Sequence, residues 1–324
     1  MTRLLTPADK WRLGIIASGW LIFLIGWPLT SITIKWASFG LLYVLITLYA
    51  GAGLAYRGLN RSERAGTAFF VIAQMALFSM VISLDCYLAM SLHRPLNDEF
   101  LAGVDRALGI DWWSYVTWVK SGPVSGRVLT YAYLSSPVQL VAAILLLGFT
   151  RRFARLDTLT LAFMISAAAT LAFWAVFPSF GPLPLYYAQG LPAPPFDLAV
   201  SKKVAMRLLA LHAGPLPPLR FEDLTGYIGF PSFHTVMAVL TVHALWGLPI
   251  SGPLALAANV LVLLSLPADG GHYFIDIAGG LLVALGSIAL SGMIVRQTQG
   301  EKPKQAVLAA GAIHEAERIS NRGG

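Results

Sequence analysis

Long runs of apolar residues, separated by short polar or basic segments, dominate the pattern of the chain. Each run is about as long as the roughly 20 residues that an α-helix needs to cross a bilayer. We therefore expect an all-α fold, a polytopic transmembrane helix bundle that packs as one unit. About eight spans are predicted, at Leu13–Ile34, Trp36–Tyr56, Ala65–Leu92, Arg127–Phe149, Leu156–Phe177, Pro231–Leu248, Pro253–Pro267 and His272–Val295.

Two connections between the predicted spans are long, at residues 93–126 and 178–230. The first has apolar residues at helical spacing together with several tryptophans, which predicts a short helix lying at the membrane surface. The second is rich in proline, and an amphipathic helix is predicted within residues 196–212. A long proline-rich loop of this kind is either functional or disordered.

Lysine and arginine cluster in the short segments between spans, and their placement predicts the orientation in the membrane. With the N-terminus in the cytoplasm, eight spans put residues 3–12, 57–64, 151–155 and 296–304 on the cytoplasmic side, and all four segments are basic. Both termini are then cytoplasmic, and the two long loops face the opposite side. An odd number of spans would remove this agreement.

The composition agrees with a membrane protein, because 56% of the residues are hydrophobic and 12% are charged, whereas a soluble domain has about 25% charged residues. The basic segments account for the net charge of +7, so we expect no nucleic-acid partner. The single cysteine, Cys86, excludes an intrachain disulfide. We expect a transmembrane hairpin at 1–64, a membrane domain with the candidate chemistry at 65–296, and a cytoplasmic tail at 297–324.

Two ionisable residues at the outer start of the eighth predicted span, His272 and Asp276, are the first candidates for chemistry. Ionisable groups at the ends of spans are costly and are therefore functional candidates. Residues four apart share one face of a helix, so the Asp276 carboxylate can accept a proton from one ring nitrogen of His272. The other ring nitrogen is then free to attack, which describes an activated nucleophile.

A third candidate, His234, lies in the first turn of the sixth predicted span, shortly after Pro231. Proline suits the first helical position, and the free backbone N–H groups of Ser232, Phe233 and His234 would form an anion site with the helix dipole. A histidine beside a bound phosphate can donate the proton that a leaving oxygen needs. We expect His234 and His272 at the same depth, because both open spans from the outer face.

The residues alone also allow other interpretations. Each histidine could be a structural hydrogen-bonding residue, and the two histidines could hold zinc together with Asp276. Asp85, inside the third span, could be a polar partner within the bundle or an uncharged buried acid. Asp269 is predicted to lie in a turn with Gly270 and Gly271, and it is also a candidate for binding a polar headgroup.

Three short motifs resemble those of a known family, the type 2 phosphatidic acid phosphatase superfamily, whose signatures are K-x6-RP, PSGH and SR-x5-H-x3-D. The segments FPSFHT and HYFID are most similar to the branch that contains the inositol phosphorylceramide synthases. The chain keeps every spacing, with Tyr87-x6-Arg94-Pro95, Pro231-Ser232-Phe233-His234 and Ser265-Leu266-x5-His272-x3-Asp276.

This resemblance implies a six-helix core like that of the family within the bundle. It further implies His272 as the nucleophile, Asp276 as the residue that orients it, and His234 as the acid and base. No cofactor is expected, since phosphohistidine chemistry needs no metal. The expected substrate-binding residues are Tyr87, Arg94, Ser232, Phe233, Asp269 and Gly271.

Two basic residues of the family signatures are absent, because Tyr87 and Leu266 stand where the signatures have lysine and arginine. A phosphomonoester carries close to two negative charges near neutral pH, and a diester carries one. Fewer cationic ligands therefore favour a phosphodiester lipid as donor. Other cations could fold into the site instead, and the candidates are Arg106, Lys120, Lys202, Lys203 and Arg220.

The leading hypothesis is a membrane enzyme that transfers a phospho-headgroup from a phospholipid to an alcohol through a phosphohistidine, at the non-cytoplasmic face. The alternative is hydrolysis of a lipid phosphate, such as phosphatidic acid or an isoprenyl diphosphate, because water can attack the same intermediate. A transporter is a more distant alternative, since neither an inverted repeat nor paired broken helices can be recognised. The expected partners are a phospholipid, an alcohol or water acceptor, and the lipid bilayer.

Overall fold

The computed structural model describes residues 4–190, 196–224 and 228–320, with side chains described up to residue 298. Within these residues the chain is helical and has no strand, and one isolated β-bridge joins Ile34 and Leu219. The expected all-α fold class is confirmed. Arg3 of the first basic segment and two parts of the second long loop, 191–195 and 225–227, lie outside the described residues.

The described helices include seven that are long and apolar enough to cross a membrane, which makes the chain an integral membrane helix bundle. These seven are α1, α2, α3, α6, α7, α11 and the first part of α12 in the following numbering. The helices in chain order are α1 Pro7–Gly26, α2 Gly40–Gly58, α3 Glu63–Met90, α4 Asp98–Ala107, α5 Trp112–Ser121, α6 Pro123–Phe149, α7 Phe153–Val176, α8 Pro182–Ala188, α9 Lys202–Ala213, α10 Phe233–Leu245, α11 Ser251–Asp269 and α12 Phe274–Ser320.

The sixth predicted span, Pro231–Leu248, differs from the others because its helix, α10, has only 13 residues. At about 1.5 Å per residue, α10 is about 20 Å long, whereas the hydrocarbon core of a bilayer is about 30 Å thick. The helix ends before Gly247, which has a left-handed φ of +75° that glycine adopts at little cost. The short helix nevertheless lies inside the bundle, in contact with α6, α7, α11 and α12.

The two long loops, residues 93–126 and 178–230, contain more helical structure than the sequence predicted, and we call them the outer loops after their predicted side of the membrane. Residues 93–126 form α4 and α5 instead of one helix, and the break falls at Gly109, whose φ is +75°. In residues 178–230, α8 precedes α9, and α9 begins at Lys202 and not at residue 196. Helix α4 contacts α12, and α5 contacts α11. The first outer loop therefore lies against the two helices that carry the third motif.

The largest apolar core joins residues of α1, α3, α6, α7, α10, α11 and α12. Helix α2 packs mainly against α3, and α1 packs against α3 and α7, so both helices of the predicted N-terminal hairpin dock on the rest of the bundle. Helix α12 continues beyond the predicted boundary at residue 296 and ends at Ser320. The proposed division at residues 64 and 296 stays a prediction.

Candidate active site

The start of α12 brings His272 and Asp276 together. The distance between His272 Nδ1 and Asp276 Oδ2 is 3.2 Å, and the same carboxylate oxygen accepts a hydrogen bond of 2.9 Å from the backbone N–H of Tyr273. Both side chains are buried. With its proton on Nδ1, the ring donates to the carboxylate and keeps the lone pair on Nε2. This is the local pairing that the spacing of four residues predicted.

Glycines let the backbone before His272 pack closely against the second outer loop. Gly271 and Gly181 have φ values of +63° and +89°, in the left-handed region that favours glycine. A Cβ atom on Gly181 would lie 1.8 Å from the carbonyl oxygen of Gly271, and one on Gly270 would lie 2.9 Å from Cδ2 of His272. The backbone that carries His272 can therefore take this position because Gly181 and Gly271 have no side chains where they meet.

Ser232 connects the start of α10 to α12. Its side chain caps α10 by accepting from the backbone N–H of Thr235 at 3.3 Å, and its own N–H donates to the carbonyl of Asp276 at 3.0 Å. The expectation of a free Ser232 N–H is therefore wrong, because that group is used to join the two helices. The Phe233 side chain packs into the core, with its ring 5.2 Å from the ring of Phe163.

His234 lies beside His272, as the shared outer position of their helices predicted. The two ring centroids are 6.1 Å apart, with the planes inclined at 63°. Tyr133 of α6 also packs against His234, at a centroid distance of 4.6 Å. No sequence motif pointed to Tyr133, because an aromatic residue in an apolar span is usually part of the core.

Asp269 is fully buried at the end of α11 and has several partners. Lys120 of α5 lies 2.7 Å from its carboxylate, the Thr130 hydroxyl of α6 donates at 3.0 Å, and the backbone N–H of Ala199 donates at 3.2 Å. Asp269 therefore ties α5, α6 and the second outer loop to α11. The structure gives it this internal role, and its predicted contact with a headgroup stays untested.

The two positions that lack the signature cations are used for packing within the protein. Leu266 is fully buried in an apolar cluster with Ala238 and Val262. Tyr87 is also buried, and its hydroxyl donates to the main-chain carbonyl of Asp223. Arg94 follows α3 and is exposed, and none of the described contacts joins it to the two histidines.

Among the cations considered as replacements, Lys120 makes an ion pair within the third motif, with Asp269. Arg220 instead pairs with Glu222 at 2.6 Å, and Lys202 lies 5.3 Å above the ring of Tyr187. Arg106 lines a small outer cavity of about 250 Å³ that also includes Tyr273.

Two buried aspartates of α4, Asp98 and Asp105, were not identified from the sequence. The Asp105 carboxylate accepts from the backbone N–H groups of Phe274 and Ile275 at 2.8 and 3.0 Å, so it caps α12 from another helix. The Asp98 carboxylate accepts from the backbone N–H groups of Gly181 at 2.6 Å and Phe180 at 3.0 Å. Burial raises the pKa of Asp98 to about 7, against the lowering effect of these hydrogen bonds. Their spacing of seven residues places both on one face of α4, which was the available signal.

The described residues contain no group of three histidine, cysteine, aspartate or glutamate side chains arranged to hold a metal ion. Of the three residues considered for zinc, His272 and Asp276 contact each other, and His234 lies beside His272. Asp276 Oδ2 is used by His272 and Tyr273, and the His234 ring packs against Tyr133.

Two neighbouring histidines, one of them held by a carboxylate, within a helical membrane bundle fit the chemistry of a membrane phosphate-ester enzyme. Comparison with protein families agrees, because the PAP2 superfamily matches residues 99–290, more than half of the chain. The chain belongs to the PAP2 superfamily and is a lipid enzyme of the phosphatase or phosphotransferase type. The match covers the second and third motifs and begins after Arg94. Comparisons with curated proteins and with solved structures gave no match.

Proposed function

We propose that the protein transfers a phospho-headgroup from a phospholipid to an alcohol, with His272 as the nucleophile. The observation that carries this proposal is the contact of His272 Nδ1 with Asp276, beside the ring of His234. A carboxylate on one ring nitrogen fixes the tautomer and leaves Nε2 with its lone pair. A second histidine within reach of the same phosphate supplies the proton.

In the first step, His272 Nε2 forms a bond to phosphorus while the bond from phosphorus to the lipid oxygen breaks. The proton of His234 goes to that leaving oxygen, so a neutral lipid alcohol departs. In the second step, the acceptor hydroxyl gives its proton to His234 and its oxygen bonds to phosphorus, and the N–P bond breaks. Asp276 stabilises the positive charge that develops on the ring of His272.

The proposed donor is a phosphodiester lipid, since the positions of the two missing signature cations are occupied by Leu266 in an apolar cluster and by Tyr87 bonded to Asp223. A site with fewer cations loses more attraction for a dianion than for a monoanion. Arg94 and the backbone N–H groups of Phe233 and His234 are the proposed phosphate ligands. This altered pattern supports the inositol phosphorylceramide synthase branch as the nearest functional analogy.

Purified protein should be incubated with a headgroup-labelled phospholipid, with and without a candidate alcohol such as a diacylglycerol or a ceramide. We expect label to move to the alcohol, and the labelled product to depend on the alcohol. Release of free labelled headgroup phosphate at the same rate in both arms would instead support hydrolysis, with water as the acceptor. Failure to cleave either a diester or a monoester lipid would contradict both forms of the proposal.

Chelation tests the metal alternative. We expect activity to survive prolonged treatment with EDTA, because the proposed steps use nitrogen and oxygen groups of the protein. Loss of activity in EDTA that added zinc restores would overturn this expectation.

The proposed orientation has both termini in the cytoplasm and the site at the opposite face. The native Cys86 is buried, so cysteines introduced at exposed positions can report sidedness. In intact cells, a membrane-impermeant maleimide should label Gln189→Cys of the second outer loop and should spare Arg61→Cys between α2 and α3. The reverse labelling would contradict the proposed orientation.

A further inference from the structure

A second cavity, of about 760 Å³, lies between α1, α3 and α7, and we refer to it as the α1–α3 groove. Its walls are mostly apolar, with Ile22, Leu88 and Leu171 among them, and Ser91 and His93 lie at its outer end. None of the residues described for the candidate active site lines it. An apolar groove that runs along three spans is suited to a lipid chain.

Asp85 is the acidic residue among those that line the groove. Its side chain is 6% exposed, and its Oδ1 atom has no hydrogen-bond partner within the described part of the chain. Its Oδ2 atom faces Gly19 of α1, where an added Cβ would be 3.5 Å away. A buried carboxyl oxygen without a donor is unfavourable inside a membrane bundle, so a ligand that supplies a donor would be bound specifically.

The depth of Asp85 identifies the part of a lipid that would meet it. Asp85 lies five residues before Met90, the last residue of α3, which puts it about 7–8 Å below the outer end of that helix. In a bilayer whose headgroup region begins near the end of α3, this is about the level at which the headgroup of a lipid joins its chains. A diacyl phospholipid has ester oxygens at that level, which only accept hydrogen bonds. Lipids with a free hydroxyl or an amide N–H at the same level are donors.

We propose that the α1–α3 groove binds a lipid with a free hydroxyl or amide N–H below its headgroup, and that this group donates to Asp85 Oδ1. The chains of the lipid would lie along the apolar wall formed by α1, α3 and α7. Gly19 and Gly26 line the groove on the α1 side, and their lack of side chains lets α1 approach Val81 and Leu88 of α3 closely. The proposal does not depend on the reaction at His272.

Photo-crosslinking of the full-length protein in nanodiscs tests this proposal. One probe is a diacylglycerol with a diazirine in one acyl chain, and the matched probe is the same molecule with its hydroxyl acetylated. We expect the hydroxyl probe to label peptides of α1 and α3 that line the groove about fivefold more strongly, the ratio that one net hydrogen bond provides. Equal labelling of the wild type by the two probes would overturn the proposal.

Variants of Asp85 locate the donor's partner. Asp85→Leu should abolish the preference for the hydroxyl probe, while Asp85→Asn, which keeps an acceptor oxygen, should retain much of it. Thr170→Val is the matched control, because Thr170 is also buried with an unpartnered oxygen but does not line the groove. A preference that persists in Asp85→Leu would also reject the assignment. If that variant does not fold, the comparison of probes on the wild type still decides the outcome.

Discussion

Buried polar residues occur at both ends of the bundle, but they are paired very differently. At the predicted cytoplasmic end, Arg12 is fully buried and reaches Asp9 at 2.6 Å, Asp157 at 2.8 Å and Gln74 at 2.8 Å. Arg57 adds a second contact to Asp9 at 2.6 Å. This cluster connects α1, α2, α3 and α7, and each charge in it meets an opposite charge.

The outer site has no such completeness. The Oδ1 atom of Asp276, the hydroxyl of Thr235 and the hydroxyl of Tyr273 are buried, and none of them has a hydrogen-bond partner within the described residues. Unsatisfied buried polar atoms are rare in folded proteins and call for an explanation. The difference suggests that the cluster around Arg12 fixes helices, while the set around Asp276 keeps capacity for a substrate. Substitutions in the two clusters should therefore affect different measurements.

The largest expected effect follows from His272→Ala. Removing the proposed nucleophile should lower turnover by at least about 10⁴-fold and abolish the phosphoenzyme. The free energy of unfolding should change by less than about 2 kcal/mol, since the ring lies at a helix start and not in the main apolar core. Turnover, acid-labile label and thermal unfolding are the measurements.

His243→Ala is the matched control for His272→Ala, because His243 is exposed near the other end of α10. It should keep wild-type turnover. Acid-labile label on the His272→Ala protein would show that the roles are reversed and would make His234 the nucleophile.

His234→Ala should lower turnover of a natural lipid by about 10²–10⁴-fold, the usual contribution of a general acid. With a nitrophenyl phosphodiester the loss should be much smaller, because that leaving group needs little protonation. Asp276→Asn should lie between the two histidine variants, since the ring survives but its tautomer is no longer enforced. Equal losses with both donors would contradict the role of His234 as the acid.

Arg12→Leu should have the opposite effect, with a loss of stability and little change in turnover. It leaves the carboxylates of Asp9 and Asp157 without their common partner, and breaking a buried ion pair costs about 3–5 kcal/mol. Thermal unfolding in detergent should show the loss, while turnover per folded molecule should remain near that of the wild type. Arg61→Leu, at an exposed position between α2 and α3, should change stability by less than about 0.5 kcal/mol. Wild-type stability in Arg12→Leu would mean that the cluster does not hold the helices.

Asp105→Ala should have the smallest of these effects and should act through position. Without its carboxylate, the N–H groups of Phe274 and Ile275 lose their cap, and a small displacement of α12 should lower kcat by about 10–10²-fold. KM should change little, and Asp105→Asn should recover part of the loss because it keeps an acceptor oxygen. Asp111→Asn, at the N-cap of α5, is the control. A loss confined to KM would contradict a positioning role.

Much of the fold was predictable because membrane spans depend on local composition. The apolar runs located all seven long helices, and the topology that the basic segments indicate stays a prediction. The length of α10 was not predictable from hydrophobicity, since Trp246, Gly247 and Leu248 continue an apolar pattern while the backbone turns at Gly247. The second helix of the first outer loop was missed for the same reason, because Gly109 breaks the helix inside an amphipathic pattern.

Pairings between distant parts of the chain could not be predicted in the same way. Lys120 meets Asp269 across 149 residues, and Asp105 meets Phe274 across 169. The local sequence shows at most which face of a helix such a residue occupies, as the spacing of Asp98 and Asp105 does, and not which distant residue it meets. The predicted free N–H of Ser232 failed for the same reason. That group donates to the carbonyl of Asp276, which only the packing of α10 on α12 brings near.

The sequence by itself determined the membrane class, the positions of the long spans and the pairing of His272 with Asp276. These properties depend on composition or on residues within one helical turn, so the order of the residues is sufficient. The tertiary structure decided that His234 packs between Tyr133 and His272, that Asp105 caps α12, and that Asp85 has an oxygen in the α1–α3 groove without a partner among the described residues. Those outcomes depend on which helices pack together and in what register, because burial and pairing are set by the neighbours that packing supplies.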